Sequence, residues 1–201
     1  MSLNISLADY GVGNLHSLKK SLENCGAEVT IITDMKELMD AKCIAFPGVG
    51  AFDKTMEKIL PYKKEITEYL NTGVPCLGIC IGTQILFEGS DEGVSPGLDF
   101  LKGRVVRLET KQIPHIGWNS VETNDPLFDE IDNKYFYFAH SYYGLPTDCS
   151  IVKGTTEYED VRIPTLFRRG NFVGSQFHPE KSSISGMKFL TNFIKFAENC
   201  Q

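Results

Sequence analysis

Through the first eighty residues, short unbroken apolar runs alternate with stretches whose apolar positions recur every three or four residues. The runs are 4–9 (NISLAD), 28–33 (EVTIIT), 43–46 (CIAF) and 75–79 (PCLGI). Apolar runs of this length, bounded by Gly, Pro or Asp, predict strands buried on both faces. Between them, 13–26 (GNLHSLKKSLENCG) reads as a helix closed by Gly26, and 51–73 as a helix interrupted near Pro61. Residues 83–89 (TQILFEG) read as a further helix. Strands alternating with helices predict βαβ units, and so an α/β fold with a mostly parallel central sheet flanked by helices.

Beyond residue 100 the pattern changes. Residues 103–108, 135–140, 150–158, 164–169 and 171–177 read as short strands with little helix between them, which predicts that they extend the sheet or form an antiparallel annex. The chain closes on an amphipathic helix within 182–200, with Ser182 or Ser183 as N-cap and Met187, Leu190, Phe193 and Ile194 as its apolar stripe. No repeat or linker interrupts the 201 residues, so a single domain spanning 1–201 is expected.

Composition narrows the class of protein. Formal net charge is −6 and charged residues make up 23% of the chain, which argues against a broad nucleic-acid surface. No apolar run reaches the roughly 18 residues of a membrane span, and the start, MSLNISLADYG, lacks the basic and apolar regions of a signal peptide. A cytoplasmic protein without membrane contact is expected. The six cysteines form no CxxC. Cys76 and Cys80, at extended spacing, stand roughly 13 Å apart, too far for a disulfide. Histidine and cysteine show no metal-ligand spacing, so no metal and no cofactor is expected.

One cysteine is set apart by its neighbours. Gly78-Ile79-Cys80-Ile81-Gly82 stands where the fourth strand must turn into a helix. Glycines on both sides remove side chains that would collide at a sharp corner, and the turn pushes the sulfur out of the sheet edge. The helix N-terminus favours negative charge on that sulfur, and the Ile81 N–H points to where an oxyanion would develop. A buried, inert Cys80 is the alternative.

A nucleophilic sulfur needs a base. His16 falls in a helical pattern, His115 in the irregular segment IPHIGWN, and His140 at the end of an aromatic strand where it could line a site. His178 ends an apolar strand and is followed by Pro179 and Glu180. Proline favours an extended residue before it, and in extended chain His178 and Glu180 would face one side, the carboxylate orienting the imidazole. A plain strand-end turn would also explain HPE. The loop after the third strand, PGVG, offers a second oxyanion donor through the close backbone approach allowed by Gly48 and Gly50. A competing pattern, Gly11-Val12-Gly13 followed by Asp34, imitates a dinucleotide fingerprint, but His16 stands where its third glycine belongs. A non-catalytic relative with a dead site would lack the nucleophile or the base, and both are present.

With these residues assembled, the chain resembles the class I glutamine amidotransferases, through PGVGAF, LGICIGTQILFEGSDEG and GSQFHPEKS. More narrowly, DYGVGNLHS, IPHIGWN and YFYFAHSYYG make it similar to the glutaminase subunits of imidazole glycerol phosphate synthase. The resemblance implies a triad of Cys80, His178 and Glu180, with an oxyanion hole from Ile81 and the Gly48–Val49 loop. It implies that Gly50, Gln84, Glu92, Ser141 and Tyr142 hold glutamine. Where the family often has Leu and Met, this chain has Ile81 and Thr83; Ile81 should act through its backbone, and Thr83 slightly alters the pocket wall. The resemblance further implies a heterodimer with a (β/α)8-barrel cyclase of the HisF type, which uses the ammonia to make imidazole glycerol phosphate and AICAR. Asn14, Trp118, Tyr137 and Lys181 are the candidate docking residues; a core could also claim Trp118 and Tyr137, the latter equally well.

Overall fold

The structure, a computed structural model, describes residues 2–11 and 14–200. The predicted alternation is present: β1 (Asn4–Ala8), α1 (Leu15–Asn24), β2 (Glu28–Ile32), β3 (Ile44–Phe46), α2 (Phe52–Ile59), α3 (Lys63–Asn71), β4 (Cys76–Ile79) and α4 (Ile81–Gln84). β5 (Gly103–Arg107), β6 (His115–Ser120), β7 (Glu122–Thr123), β8 (Tyr135–His140), β9 (Tyr142–Pro146), β10 (Val152–Tyr158), β11 (Val161–Arg169), β12 (Phe172–Ser175) and α5 (Ser183–Glu198) follow.

The central sheet runs β2-β1-β3-β4-β12-β11-β10-β7. Its first five strands are parallel, and β11, β10 and β7 add antiparallel. Side chains alternate across the pleat. Ala45, Leu77 and Ile79 join a core with α1 and α5, through Leu18, Leu22, Phe189 and Phe193. Ile44, Phe46 and Cys76 join the opposite core with α2 and α3, through Phe52, Met56, Ile66 and Leu70. Helices therefore cover both faces, which is why these strands read as continuous apolar runs. No helix among the described residues is long and apolar enough to cross a membrane.

Several expectations are corrected. The helix expected over 83–89 stops at Gln84. The carbonyls of Ile85, Leu86, Phe87 and Glu88 instead accept from Leu98, Leu101, Asp99 and Gly97, so a returning loop takes the bonds a helix would have used. IPHIGWN is not irregular: His115–Ser120 pairs with β8 along its full length. β9, which pairs with β5, is a strand the apolar pattern did not announce. Helix α1 begins at Leu15 and is closed at Gly26 as expected; Val12 and Gly13 of the dinucleotide-like turn lie outside the described residues. Asp34 instead caps a short turn, accepting from Lys36 N at 3.0 Å. Neither Ser182 nor Ser183 caps α5 through its side chain: the Ser182 hydroxyl donates to the His178 carbonyl at 2.6 Å, and Ser183 has φ 51°. In the stripe of α5, Phe189 and Ala197 are fully buried and Met187 only half.

Candidate active site

β4 lies between β3 and β12, and Cys80 is the residue at which it turns into α4. Its backbone, φ 48° and ψ −110°, is a conformation side-chain-bearing residues avoid at a cost of about 1–3 kcal/mol. The surroundings hold it there. Cys80 N donates to Ser175 O at 2.7 Å, and Cys80 O accepts from Thr83 N at 2.9 Å and Gln84 N at 3.0 Å. Thr83 Oγ1 donates to Ser175 O as well, at 3.0 Å. The flanking glycines are required by close approach. A Cβ on Gly82 would lie 2.1 Å from the Phe46 carbonyl oxygen, and one on Gly78 would lie 2.8 Å from that of Gly82. As the first residue of α4, Ile81 has an N–H with no intrahelical acceptor.

His178 follows β12, which pairs in parallel with β4; its side chain is fully buried and that of Glu180 is 1% exposed. His178 N donates to Tyr137 O at 2.9 Å. His178 is extended, as the following proline dictates, but Pro179–Lys181 then forms a single 3-10 turn. The turn, not strand alternation, brings Glu180 Oε1 to 2.9 Å from His178 Nδ1. A carboxylate accepts only, so Nδ1 carries the proton. Nε2 has no hydrogen-bond partner among the described residues. Burial acts to lower the pKa of His178, but the negative charge of Cys80 and the hydrogen bond to Glu180 outweigh it and raise the imidazole to about 10. Sulfur, imidazole and carboxylate thus form one electrostatic unit.

A cavity of about 270 Å³ opens over Cys80. Every residue expected to bind glutamine or its oxyanion lines it: Gly48, Val49 and Gly50 from the loop after β3, Ile81 and Gln84 from α4, Glu92, and Ser141 with Tyr142 between β8 and β9. Glu92 Oε2 also accepts from Phe52 N at 3.1 Å, capping α2 just past that loop. A larger hollow of about 750 Å³ lies beside Glu122–Pro126 and Val152–Thr155, but no cysteine or histidine lines it. Among the described residues no cluster of three or more metal-ligating side chains occurs.

The other two buried histidines have another role. His140 lines the cavity, yet its Nδ1 faces Tyr142 O at 3.0 Å and its Nε2 faces His115 Nδ1 at 3.1 Å. Burial pushes His115 down to about 4, and burial with the adjacent His115 pushes His140 to about 3. Both stay neutral with their ring nitrogens engaged, whereas His178, which lies behind the cavity lining, keeps Nε2 without a partner among the described residues.

Three contributors escaped sequence reasoning. The Tyr10 hydroxyl donates to Pro47 O, tethering the PGVG loop. Gln176 Nε2 lies 3.5 Å from Cys80 Sγ. Asn14, expected only as a docking residue, donates from Nδ2 to Glu180 Oε1 at 2.6 Å. The remaining docking candidates cluster with one another. Trp118 and Tyr137 are cross-strand partners with ring centroids 6.3 Å apart, and Lys181 Nζ lies 5.7 Å from the Tyr137 ring centre. Trp118 is 52% exposed, so it is not core.

Comparison with known proteins matches the family model "Glutamine amidotransferase class-I" to residues 6–196. The chain belongs to the class-I glutamine amidotransferase family. This amidotransferase is 40% identical over 208 residues to the imidazole glycerol phosphate synthase subunit HisH of Synechococcus sp. (strain JA-2-3B'a(2-13)), covering 99% of this chain and 95% of that one. It is 43% identical over 195 residues to the HisH subunit of Sulfolobus acidocaldarius, covering 94% and 96%. Among solved structures it superposes on PurLQS from Thermotoga maritima with a TM-score of 0.73 at 21% identity, covering 99% of both chains; at that identity the likeness speaks for the fold.

Proposed function

We propose that this amidotransferase is the glutaminase subunit of an imidazole glycerol phosphate synthase, acting through Cys80, His178 and Glu180. The observation that carries the chemistry is the strained Cys80 lining the cavity, coupled to an imidazole whose far nitrogen is buried on a carboxylate. The near full-length agreement with HisH relatives supports the pathway and the partner.

In this mechanism the Cys80 thiolate attacks the side-chain amide carbon of glutamine. The carbonyl oxygen takes up negative charge and is held by the Ile81 N–H and the Gly48–Val49 loop. Protonated His178 gives its proton to the amide nitrogen, the C–N bond breaks, and ammonia leaves. The enzyme now holds a thioester and a neutral imidazole. His178 takes a proton from water as that water attacks the thioester, and glutamate departs as the sulfur recovers its charge. Glu180, steadied by Asn14, keeps the proton of Nδ1 in place throughout. Glu92 offers a charge to the substrate's ammonium, Ser141 and Tyr142 border its α-end, and Gly50 and Gln84 line the walls.

Ammonia released into water is mostly protonated and useless as a nucleophile. A (β/α)8-barrel cyclase docked over Trp118, Tyr137, Lys181 and Asn14 would receive it and use it to form imidazole glycerol phosphate and AICAR. The test is glutaminase turnover of this chain alone, with the cyclase, and with the cyclase plus its phosphoribosyl ligand. Turnover is expected to rise at each step. Equal rates in all three would refute the coupling, and failure to form a stable complex would refute the partner.

A further inference from the structure

Two buried glutamines stand next to the sulfur. Gln176 is 1% exposed and Gln84 4%. Gln84 Nε2 lies 2.8 Å from Tyr142 O and 3.1 Å from Gln176 Oε1, and Gln176 Nε2 lies 3.5 Å from Cys80 Sγ. One fixed point orients both amides. A backbone carbonyl can only accept, so the Gln84 group facing Tyr142 O is its NH2. The second proton of that NH2 is directed at Gln176, whose facing atom must then be oxygen. The NH2 of Gln176 is left turned toward the sulfur. The Tyr142 carbonyl is itself held from another side by His140 Nδ1, and His140 by His115. Two engaged amides and a neutral histidine pair therefore deliver one N–H to Cys80.

We propose that Gln176 is a positioning residue for Cys80: its amide N–H holds the sulfur in its attacking orientation and supports its negative charge, with Gln84 setting the direction of that amide. This rests on Cys80 being the nucleophile. A thiolate in a buried pocket has few ways to regain the hydrogen bonds it had in water. Gln176 supplies a donor from a side chain that takes no part in proton transfer. A Gln176 that only filled space would be replaceable by any side chain of its volume.

Gln176→Met keeps the volume and loses the donor. Gln176→Glu keeps the shape and puts oxygen where the N–H stands. The readouts are the rate at which iodoacetamide alkylates Cys80 in the full-length chain at neutral pH, followed by peptide mass spectrometry, and glutaminase kcat and KM in the complex with the cyclase. Loss of a hydrogen bond to a charged atom predicts alkylation and kcat about tenfold lower in Gln176→Met, and lower still in Gln176→Glu, with KM changed less than about twofold. Wild-type alkylation and kcat in Gln176→Met would overturn the proposal. Should that variant fail to fold, Gln176→Glu decides alone, and wild-type rates there would overturn it equally. If iodoacetamide does not select Cys80 in the wild-type chain, or Cys80→Ala still hydrolyses glutamine, the nucleophile assignment itself falls, a result distinct from either.

Discussion

At the scale of single residues, the site depends on one coupling, between the Cys80 sulfur and the His178 imidazole. Burial alone would drive His178 below its ordinary range, as it does His115 and His140. The charge of Cys80 and the hydrogen bond to Glu180 reverse that, to about 10. Cys80→Ala removes the negative partner and leaves burial and Glu180 to compete. The expected outcome is a folded protein without glutaminase turnover, in which the His178 ring titrates at markedly lower pH. Histidine ring NMR across a pH series checks this, and an unmoved midpoint in Cys80→Ala would show that the sulfur does not govern the imidazole. Cys80, His178 and Glu180 stand out in the sequence because each carries a local signature: glycines around the first, a proline between the other two. Tyr10, Asn14 and Gln176 carry none. Asn14 is 166 positions from the Glu180 it touches, and Gln176 is 96 from Cys80. Only the folding of β1 and β12 to either side of β4 brings them in.

At the scale of elements, the elbow is a crossing of three backbones: the end of β3, the end of β4 and the start of α4. The fit leaves no volume for a methyl group at Gly82, whose Cβ would stand 2.1 Å from one carbonyl oxygen and 2.8 Å from another. Backbone cannot step aside as a flexible side chain can, so Gly82→Ala should cost at least about 3 kcal/mol. Gly26 closes α1 with φ 98°, and a methyl group added there would have nothing within 4 Å. Gly26→Ala should therefore cost only the backbone conformational penalty, about 1 kcal/mol. Urea unfolding of the two variants checks the order. Equal losses would mean that the elbow relaxes and is not rigid. Elements that bury both faces, β1 to β4, were legible as apolar runs. β6 was not, because its side chains are split: His115 is buried, while Ile116 is 61% and Trp118 52% exposed. That pattern fits neither a core strand nor a polar-out strand. It suits a face that awaits a partner. The short α4 reads as longer than it is for the opposite reason, since Ile85, Leu86 and Phe87 are all fully buried and their carbonyls are bonded to a distant loop.

At the scale of the whole molecule, the buried histidines make stability depend on pH in a direction that can be worked out. Unfolded, each titrates near 6.5. Folded, His115 is held down at about 4 and His140 at about 3, so the unfolded chain takes up protons that the native one refuses. The native state is therefore penalised as pH falls from about 6.5 toward those values. His178 has the opposite sign. Its native pKa is raised to about 10, so its contribution is fully present below about 6.5 and is lost as pH rises through 10. The two opposed dependences meet near neutrality, and the melting temperature should peak there and fall on both sides. The acid side has an identifiable origin: Nδ1 of His140 already donates to the Tyr142 carbonyl, so an added proton goes to Nε2 and disrupts the bond to His115. His140→Gln keeps a donor and an acceptor but cannot be charged as pH falls below about 6.5. Over that acid range its melting temperature should decline less steeply than that of the native chain, although it starts lower because a ring has been removed from a packed interior. Thermal melts of both proteins across a series of pH values measure the two slopes. An acid limb as steep in His140→Gln as in the native chain would show that the histidine pair does not set acid stability, and would place that limb on the carboxylates instead.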